Sequence, residues 1–415
     1  MDKSIFIIIV AIVVFDFIFE QLLNYLNTTR WTSKLPEELG DIYNNEEYTK
    51  SQAYKKANHK FGMITSTFSF VLILLMLLLG GFALVDSWVS QYTQNSIITA
   101  LLFFAIIGLA SDLLSTPFDI YDTFVIEERF GFNKITPKLF VFDKIKGLLL
   151  SALLGAGIIS LLIWLFNIMG NYFWVIAWGA VTIISIFFAL FYSNLIVPLF
   201  NKQTPLDDGE LKQSIEAFAH KVGFKLTNIY VIDGSKRSTK ANAYFTGLGA
   251  KKRIVLYDTL IADLTVNEVV AVLAHEIGHY KKHHVIWGLL LGILQTGLML
   301  FLFSLFVQSE NLSLALGVHV PKFHIGLIAF GILYSPLSFL IGIIMNVFSR
   351  KNEYQADAFA NSFDLGNELV TALKKLSLKS LSNLTPHPWY VFFHYSHPTL
   401  LQRIKKIKYF IVNKL

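Results

Sequence analysis

The sequence predicts an α-helical membrane protein: seven transmembrane helices carrying a small α+β domain. Three observations point there. Of its 415 residues, 54% are hydrophobic and only 15% charged, where soluble domains run near a quarter charged. Seven apolar stretches each approach the roughly 20 residues that a helix needs to cross hydrocarbon. The lysines and arginines between those stretches alternate from one side to the other. Disorder, collagen and a disulfide scaffold are excluded by composition, and the absence of cysteine removes thiolate nucleophiles and thiolate metal sites. A net charge of +6 is modest for this length and in such a chain marks a membrane face. The bilayer is therefore an expected partner, and nucleic acid is not.

The stretches run over residues 4–25, 62–85, 96–114, 147–168, 172–199, 285–307 and 324–348. The first is expected to stay as a membrane helix, because no small-residue cleavage site follows it and Asp16 and Glu20 interrupt its second half. Residues 27–61 carry Arg30, Lys34, Lys50, Lys55, Lys56 and Lys60, and the segment between spans three and four carries Arg129, Lys134, Lys138, Lys144 and Lys146. The connections at 86–95 and 169–171 carry no Lys or Arg, and 308–323 has only Lys322. The positive-inside rule then puts the amino terminus outside, and the carboxyl terminus and both long polar regions, 201–284 and 349–415, on the cytoplasmic side. Within the first of these, helical spacing covers 209–222. Strands are expected at Asn228–Ile232, at 242–246 and at Arg253–Tyr257, the last two joined through Gly247, Gly249 and Lys251–Lys252. Thr265 and Glu268 form a capping box that starts a helix.

That helix carries His275-Glu276-Ile277-Gly278-His279. Histidines at i and i+4 stack on one helix face, where two imidazoles can share a metal, and the intervening Glu can take a proton from metal-bound water. By chance, roughly one such chain in a hundred would contain the pattern. A catalytic zinc needs a third protein ligand, and without cysteine it must be His, Glu or Asp. The segment Glu353-Tyr354-Gln355-Ala356-Asp357 follows the seventh span on the same side and puts two carboxylates on one helix face. His283 and His284 are rivals, but the run Lys281-Lys282-His283-His284 at a span boundary reads as an interfacial anchor.

Taken together the residues resemble the integral-membrane type I CAAX prenyl proteases, zinc enzymes of the gluzincin group. The landmarks are Leu35-Pro36-Glu37-Glu38-Leu39, Ile126 to Lys134, Ser238 to Gly247 with Asn242-Ala243-Tyr244, and Arg253 to Leu260. The metal motif follows, then Phe348 to Ala360 with Glu353, and Tyr395-Ser396-His397-Pro398 leading to Arg403. The resemblance implies residues 1–203 as an N-terminal domain of five membrane helices and 204–415 as a zinc metallopeptidase domain containing helices six and seven. It implies one Zn2+ per chain on His275, His279 and Glu353, with Glu276 as general base. Asp357 would orient a ligand histidine, and Arg403 would hold the region in place. Asn242 would lie on a strand edge that pairs with an extended peptide, and His397 would stabilise the oxyanion. Read alone, Asn242 could equally be a turn residue and His397-Pro398 a helix cap. The family's seven helices enclose a water-filled chamber, which would house Asp16, Glu20 and Asp112 away from lipid.

The implied activity is that of a zinc metalloendopeptidase cleaving near the C-terminus of prenylated or membrane-associated peptides, the substrate a peptide or protein. The alternative within the same chemistry is a membrane quality-control metalloprotease of misfolded proteins. A zinc transporter is disfavoured, because the histidines sit on a capped helix before a span and a Glu lies between them. Richness in Lys, Ile and Asn suggests a bacterium and its inner membrane; a eukaryotic source would point to the endoplasmic reticulum. The tail Val412-Asn413-Lys414-Leu415 lacks Cys and is not expected to be a prenylation signal.

Overall fold

The structure, a computed structural model, describes residues 3–31, 35–36, 39–40, 44–226, 228–246 and 253–413. Glu37, Glu38, Lys34, the turn at Gly247, Gly249 and Lys251–Lys252, and Lys414 and Leu415 lie outside the described residues.

The membrane part begins with α1 (Lys3–Thr28), α2 (Asn45–Leu78), α3 (Gly81–Val89) and α4 (Ser96–Tyr121). A short α5 (Glu128–Phe130) follows, then α6 (Pro137–Met169), α7 (Phe173–Leu195) and α8 (Val197–Phe200). Among the described residues six helical stretches are long and apolar enough to cross a membrane, and one of them, residues 137–200, is 64 residues long. A straight helix of that length would measure about 96 Å, far beyond one hydrocarbon core of about 30 Å. It breaks at Gly170, φ 57°, so that α6 and α7 pack on each other as two passes. With that hairpin the expected seven spans are present.

Several spans, α2, α4, α6 and α14, are longer than their apolar windows, while α7 ends at Leu195, short of the expected 199. α2 starts with an Asn44 capping box well ahead of its apolar run, and α4 passes Pro117 and continues through a π-helical turn, Asp122–Glu127. Proline removes a helical N–H there, and π turns gather where the ladder has been disturbed. The ionisable residues inside the spans pair with other elements. Ser335 donates to Asp16 at 3.0 Å, Lys144 meets Asp112 at 3.2 Å, and His394 lies 3.4 Å from Glu20.

The polar domain starts with β1 (Gln203–Pro205), α9 (Glu210–Lys221), β2 (Asn228–Ile232), β3 (Ala243–Thr246), β4 (Arg253–Tyr257) and α10 (Asp258–Asp263). It continues with α11 (Val266–Lys281), α12 (His284–Phe306), α13 (Glu310–Ala315), α14 (Phe323–Asn361), α15 (Gly366–Lys379), α16 (Pro388–His394) and α17 (Leu400–Val412). The sheet order is β1-β2-β4-β3, with β2–β4 parallel and the outer pairs antiparallel. β3 is thus an edge strand. The three-residue β1 escapes sequence reading because it is short and ends in proline. Ile254, Leu256, Leu260, Leu273, Ile404 and Ile407 close the core between sheet and helices, each almost wholly buried.

Two helices connect this domain to the bilayer. α12 is the sixth span and starts one residue after a reversal at His283, φ 58°. α14 is the seventh span and runs 39 residues without interruption past Phe348 into the polar domain. Glu353 and Asp357 therefore sit in the last turns of a continuous membrane helix.

Candidate metal centre

The centre forms where α11 crosses α14. Thr265 caps α11: its hydroxyl accepts from the Glu268 amide, and Glu268 returns a bond to the Thr265 amide at 2.8 Å. The crossing is close because Gly278 has no side chain. A Cβ there would stand 3.1 Å from Ala356 Cα and 3.2 Å from its carbonyl oxygen. The approach sets the i, i+4 pair His275 and His279 against the i, i+4 pair Glu353 and Asp357.

One donor atom from each of His275, His279 and Glu353 lies within 4.8 Å of the other two. The two Nε2 atoms are 3.2 Å apart, and the Glu353 carboxylate lies 3.4 Å from His275 Nε2 and 3.2 Å from His279 Nε2. Glu353 and His275 are buried. Glu353 Oε2 accepts no hydrogen bond, a costly state for a buried oxygen.

The far sides of both rings are committed. His275 Nδ1 donates to Asp357 Oδ1 at 2.9 Å. Asp357, fully buried, is gripped through both oxygens by Arg403 from α17, with Nε at 3.0 Å. His279 Nδ1 lies 3.0 Å from Nδ1 of His284, whose Nε2 lies 2.9 Å from Gln355 Oε1. With protons on both ligand Nδ1 atoms, both Nε2 lone pairs face the carboxylate. That donor set, two imidazole nitrogens and one carboxylate with a free approach, is the set catalytic zinc takes.

The electrostatics agree. Burial disfavours a proton on His275 and so does the Arg403 charge, yet Asp357 and Glu353 outweigh both and raise its pKa to about 9. The local field thus favours positive charge at this spot. Burial also opposes the charge on Arg403, and the Asp357 carboxylate more than restores it, so Arg403 stays a cation.

A cavity of about 920 Å³ opens over the centre, lined by Glu276, Asn242, His397 and apolar residues of the sixth and seventh spans. His397 Nε2 lies 3.3 Å from Glu353 Oε1, and its side chain is 63% exposed. Asn242 immediately precedes β3, one residue later than the expected strand start; its side chain accepts from the Ala243 amide at 2.8 Å.

The loop before Asn242 is tied to the membrane part. Arg237 makes a two-point bond to Asp143 at 2.9 and 3.0 Å. Lys240 binds Glu127 at 2.7 Å and sits 4.3 Å over the Phe132 ring. Burial lowers the Lys240 pKa, but the Glu127 and Tyr54 hydrogen bonds raise it further, so it remains charged. Glu127 and Phe132 lie in the 126–134 landmark, whose role cannot be read from local pattern.

All predicted site residues converge here. One reading is corrected: His284 is not an interfacial anchor but a buried residue whose ring supports His279. The reversal at His283 turns the next side chain back towards the metal motif. Gln355, one face away from Glu353, was missed altogether. The signal for it, a polar side chain two residues after a candidate ligand, is too common to notice.

Seven passes and a largely buried His-His-Glu triad beneath a cavity define a multi-pass membrane metallopeptidase. Family comparison agrees. Residues 24–202 match the CAAX prenyl protease N-terminal model, with five membrane helices, and residues 205–411 match peptidase family M48. The chain is 35% identical to CAAX prenyl protease 1 of Saccharomyces cerevisiae, over 95% of this chain and 93% of that one. It is 32% identical to the human CAAX prenyl protease 1 homolog, over 91% and 89%. The crystal structure of S. mikatae Ste24p superposes with a TM-score of 0.91 at 36% identity, covering 98% of this chain and 99% of that one. The chain belongs to the CAAX prenyl protease family of M48 zinc metallopeptidases.

Proposed function

We propose that His275, His279 and Glu353 hold the zinc and that this site cleaves prenylated peptides near their carboxyl terminus. The observation that carries the metal reading is the pair of Nε2 lone pairs, 3.2 Å apart, facing a buried carboxylate, one oxygen of which accepts no hydrogen bond among the described residues.

Zinc, when bound, supplies Lewis acidity and lowers the pKa of water at its open position. Glu276, which lines the cavity beside both imidazoles, takes the proton of the attacking water and passes it to the leaving amine. His397, exposed to the cavity, donates to the oxyanion as the carbonyl becomes tetrahedral. The edge of β3, unpaired among the described residues, pairs with the extended peptide, and Asn242 just before it fixes the register. Asp357, itself held by Arg403, keeps the His275 proton on Nδ1.

The prenyl preference rests on the family's printed name and on the cavity. Val285, Trp287, Leu291, Met345 and Phe348 continue from the metal along the membrane helices, an apolar wall suited to an isoprenoid. The charge pattern supports an amino terminus outside and a cytoplasmic metal site, and the two family matches support a domain boundary near residue 204. The compartment follows the source, bacterial inner membrane or endoplasmic reticulum.

The test is cleavage of a farnesylated Cys-aliphatic-aliphatic-X peptide and its unprenylated twin by the purified chain, with Glu276→Gln as control. The prenylated peptide should be cut faster, and the variant should lose about 10²–10⁴-fold in rate. Equal cleavage by both proteins would remove the protease assignment, and equal cleavage of both peptides would remove the lipid preference.

A further inference from the structure

A second concave site, of about 660 Å³, lies where the fifth span emerges from the membrane, and it shares no lining residue with the metal cavity. Lys146 at the start of span four and Lys202 after α8 form one wall; Lys236 and Arg253 come from the sheet side. Against these four cations stands one carboxylate, Asp233, and it is occupied. Asp233 Oδ1 accepts from the Asn201 side chain at 3.0 Å and from the Lys202 amide at 2.8 Å. Among the described residues Lys146 donates once, to the Leu199 carbonyl at 2.9 Å, and stands 5.9 Å over the Phe200 ring, so it has N–H groups left for a ligand. The Arg253 guanidinium lies over the Tyr230 ring, 4.8 Å from its centre, and pairs with no carboxylate among the described residues. None of the four pairs with a carboxylate among the described residues. Converging cations without counter-charges repel one another, and an anion in the pocket removes that cost.

A separate feature says what kind of anion. Lys146, Leu149 and Leu153 follow one another at i, i+3 and i+7, hence on one face of α6. Leu149 is 66% and Leu153 72% exposed, and Leu199, at 49%, lines the same pocket from α8. An uncovered apolar strip thus runs from the cationic pocket along a membrane helix. We propose that this is a binding site for an anionic phospholipid, with the phosphate headgroup among Lys146, Lys202, Lys236 and Arg253 and an acyl chain on Leu149 and Leu153. Basic pockets beside membrane helices bind acidic headgroups in this way.

The experiment is native mass spectrometry of the full chain from detergent, titrated with phosphatidylglycerol, phosphatidylcholine or inorganic phosphate. Lys202 and Lys236 are exposed and outside the peptidase machinery. Wild type should retain one phosphatidylglycerol in preference to phosphatidylcholine. Lys202→Gln/Lys236→Gln should bind it about thirtyfold more weakly, while the charge-keeping Lys202→Arg/Lys236→Arg should bind as wild type. Leu149→Asn/Leu153→Asn should weaken phosphatidylglycerol and leave phosphate binding unchanged. Equal affinity in the wild type and the Gln variant, or equal binding of both lipids, would overturn the site. Displacement of phosphatidylglycerol by an equal concentration of inorganic phosphate would make the ligand a free phosphate and overturn the lipid assignment.

Discussion

Gly278 and Ala356 touch backbone to backbone: a Cβ added to Gly278 would come within 3.1 Å of Ala356 Cα and of Phe359 Cβ. The contact lies between the two ligand histidines on one helix and between Glu353 and Asp357 on the other. It explains why the fourth residue of this metal motif is glycine. A methyl group has no flexible neighbour to displace there, so the helices must separate by a few tenths of an ångström. Gly278→Ala should cost about 1–3 kcal/mol and weaken zinc binding, read as a lower unfolding temperature and faster zinc loss to a chelator. Unchanged zinc retention would show that the crossing does not set the ligand geometry.

His284 holds His279 from behind, and Gln355 holds His284. Outer partners of metal-bound imidazoles typically govern 10–100-fold in metal affinity. His284→Ala should therefore weaken zinc affinity by about 10–100-fold, while His284→Asn, which keeps an acceptor in that place, should recover part of it. Competition with a chromophoric chelator measures both.

Asp357 occupies the matching position behind His275, with the Arg403 charge on its other side. Asp357→Asn keeps the shape and removes the charge, leaving buried Arg403 with only the more distant Glu353 carboxylate, 3.4 Å from Nη1. Breaking a buried pair from one side costs about 3–5 kcal/mol, so this variant should unfold at a markedly lower temperature than Asp357→Asn/Arg403→Leu. The double variant should recover stability without recovering zinc affinity.

At the opposite end of the membrane, Asp86 in α3 is buried beside Lys322 and His324, at 2.7 and 2.8 Å. Burial raises the Asp86 pKa, but the His324 and Lys322 contacts prevail and lower it below the ordinary carboxylate value. A carboxyl lower in the folded than in the unfolded state stabilises above its unfolded pKa, near 3.9, and that stability is lost as pH falls through the folded value. Wild type should lose unfolding temperature below about pH 4 more steeply than Asp86→Asn; parallel curves would contradict the pairing.

The spans, the Thr265 cap and the i, i+4 histidines were legible because each is written in local spacing. Strands Asn228–Ile232 and Arg253–Tyr257 were too, as short apolar runs between turn residues. Legibility failed where function depends on distant contacts. Nothing near Lys240 announces Glu127 as its partner, since 113 residues separate them. Likewise Lys281-Lys282-His283-His284 resembles a boundary anchor by composition, and only the left-handed backbone at His283 sends His284 inward. The long seventh helix was divided in two by its change from apolar to polar, although the helical ladder ignores that change. Resemblance to the family, rather than spacing, assigned roles to Asn242 and His397.

Zinc stoichiometry tests the metal centre most directly. Elemental analysis of the purified full chain should find one zinc per chain in wild type and in Glu276→Gln, and far less in His275→Ala and in Glu353→Ala. Wild-type protein that folds and cleaves peptide without zinc, or a Glu353→Ala protein that keeps a full equivalent, would contradict it.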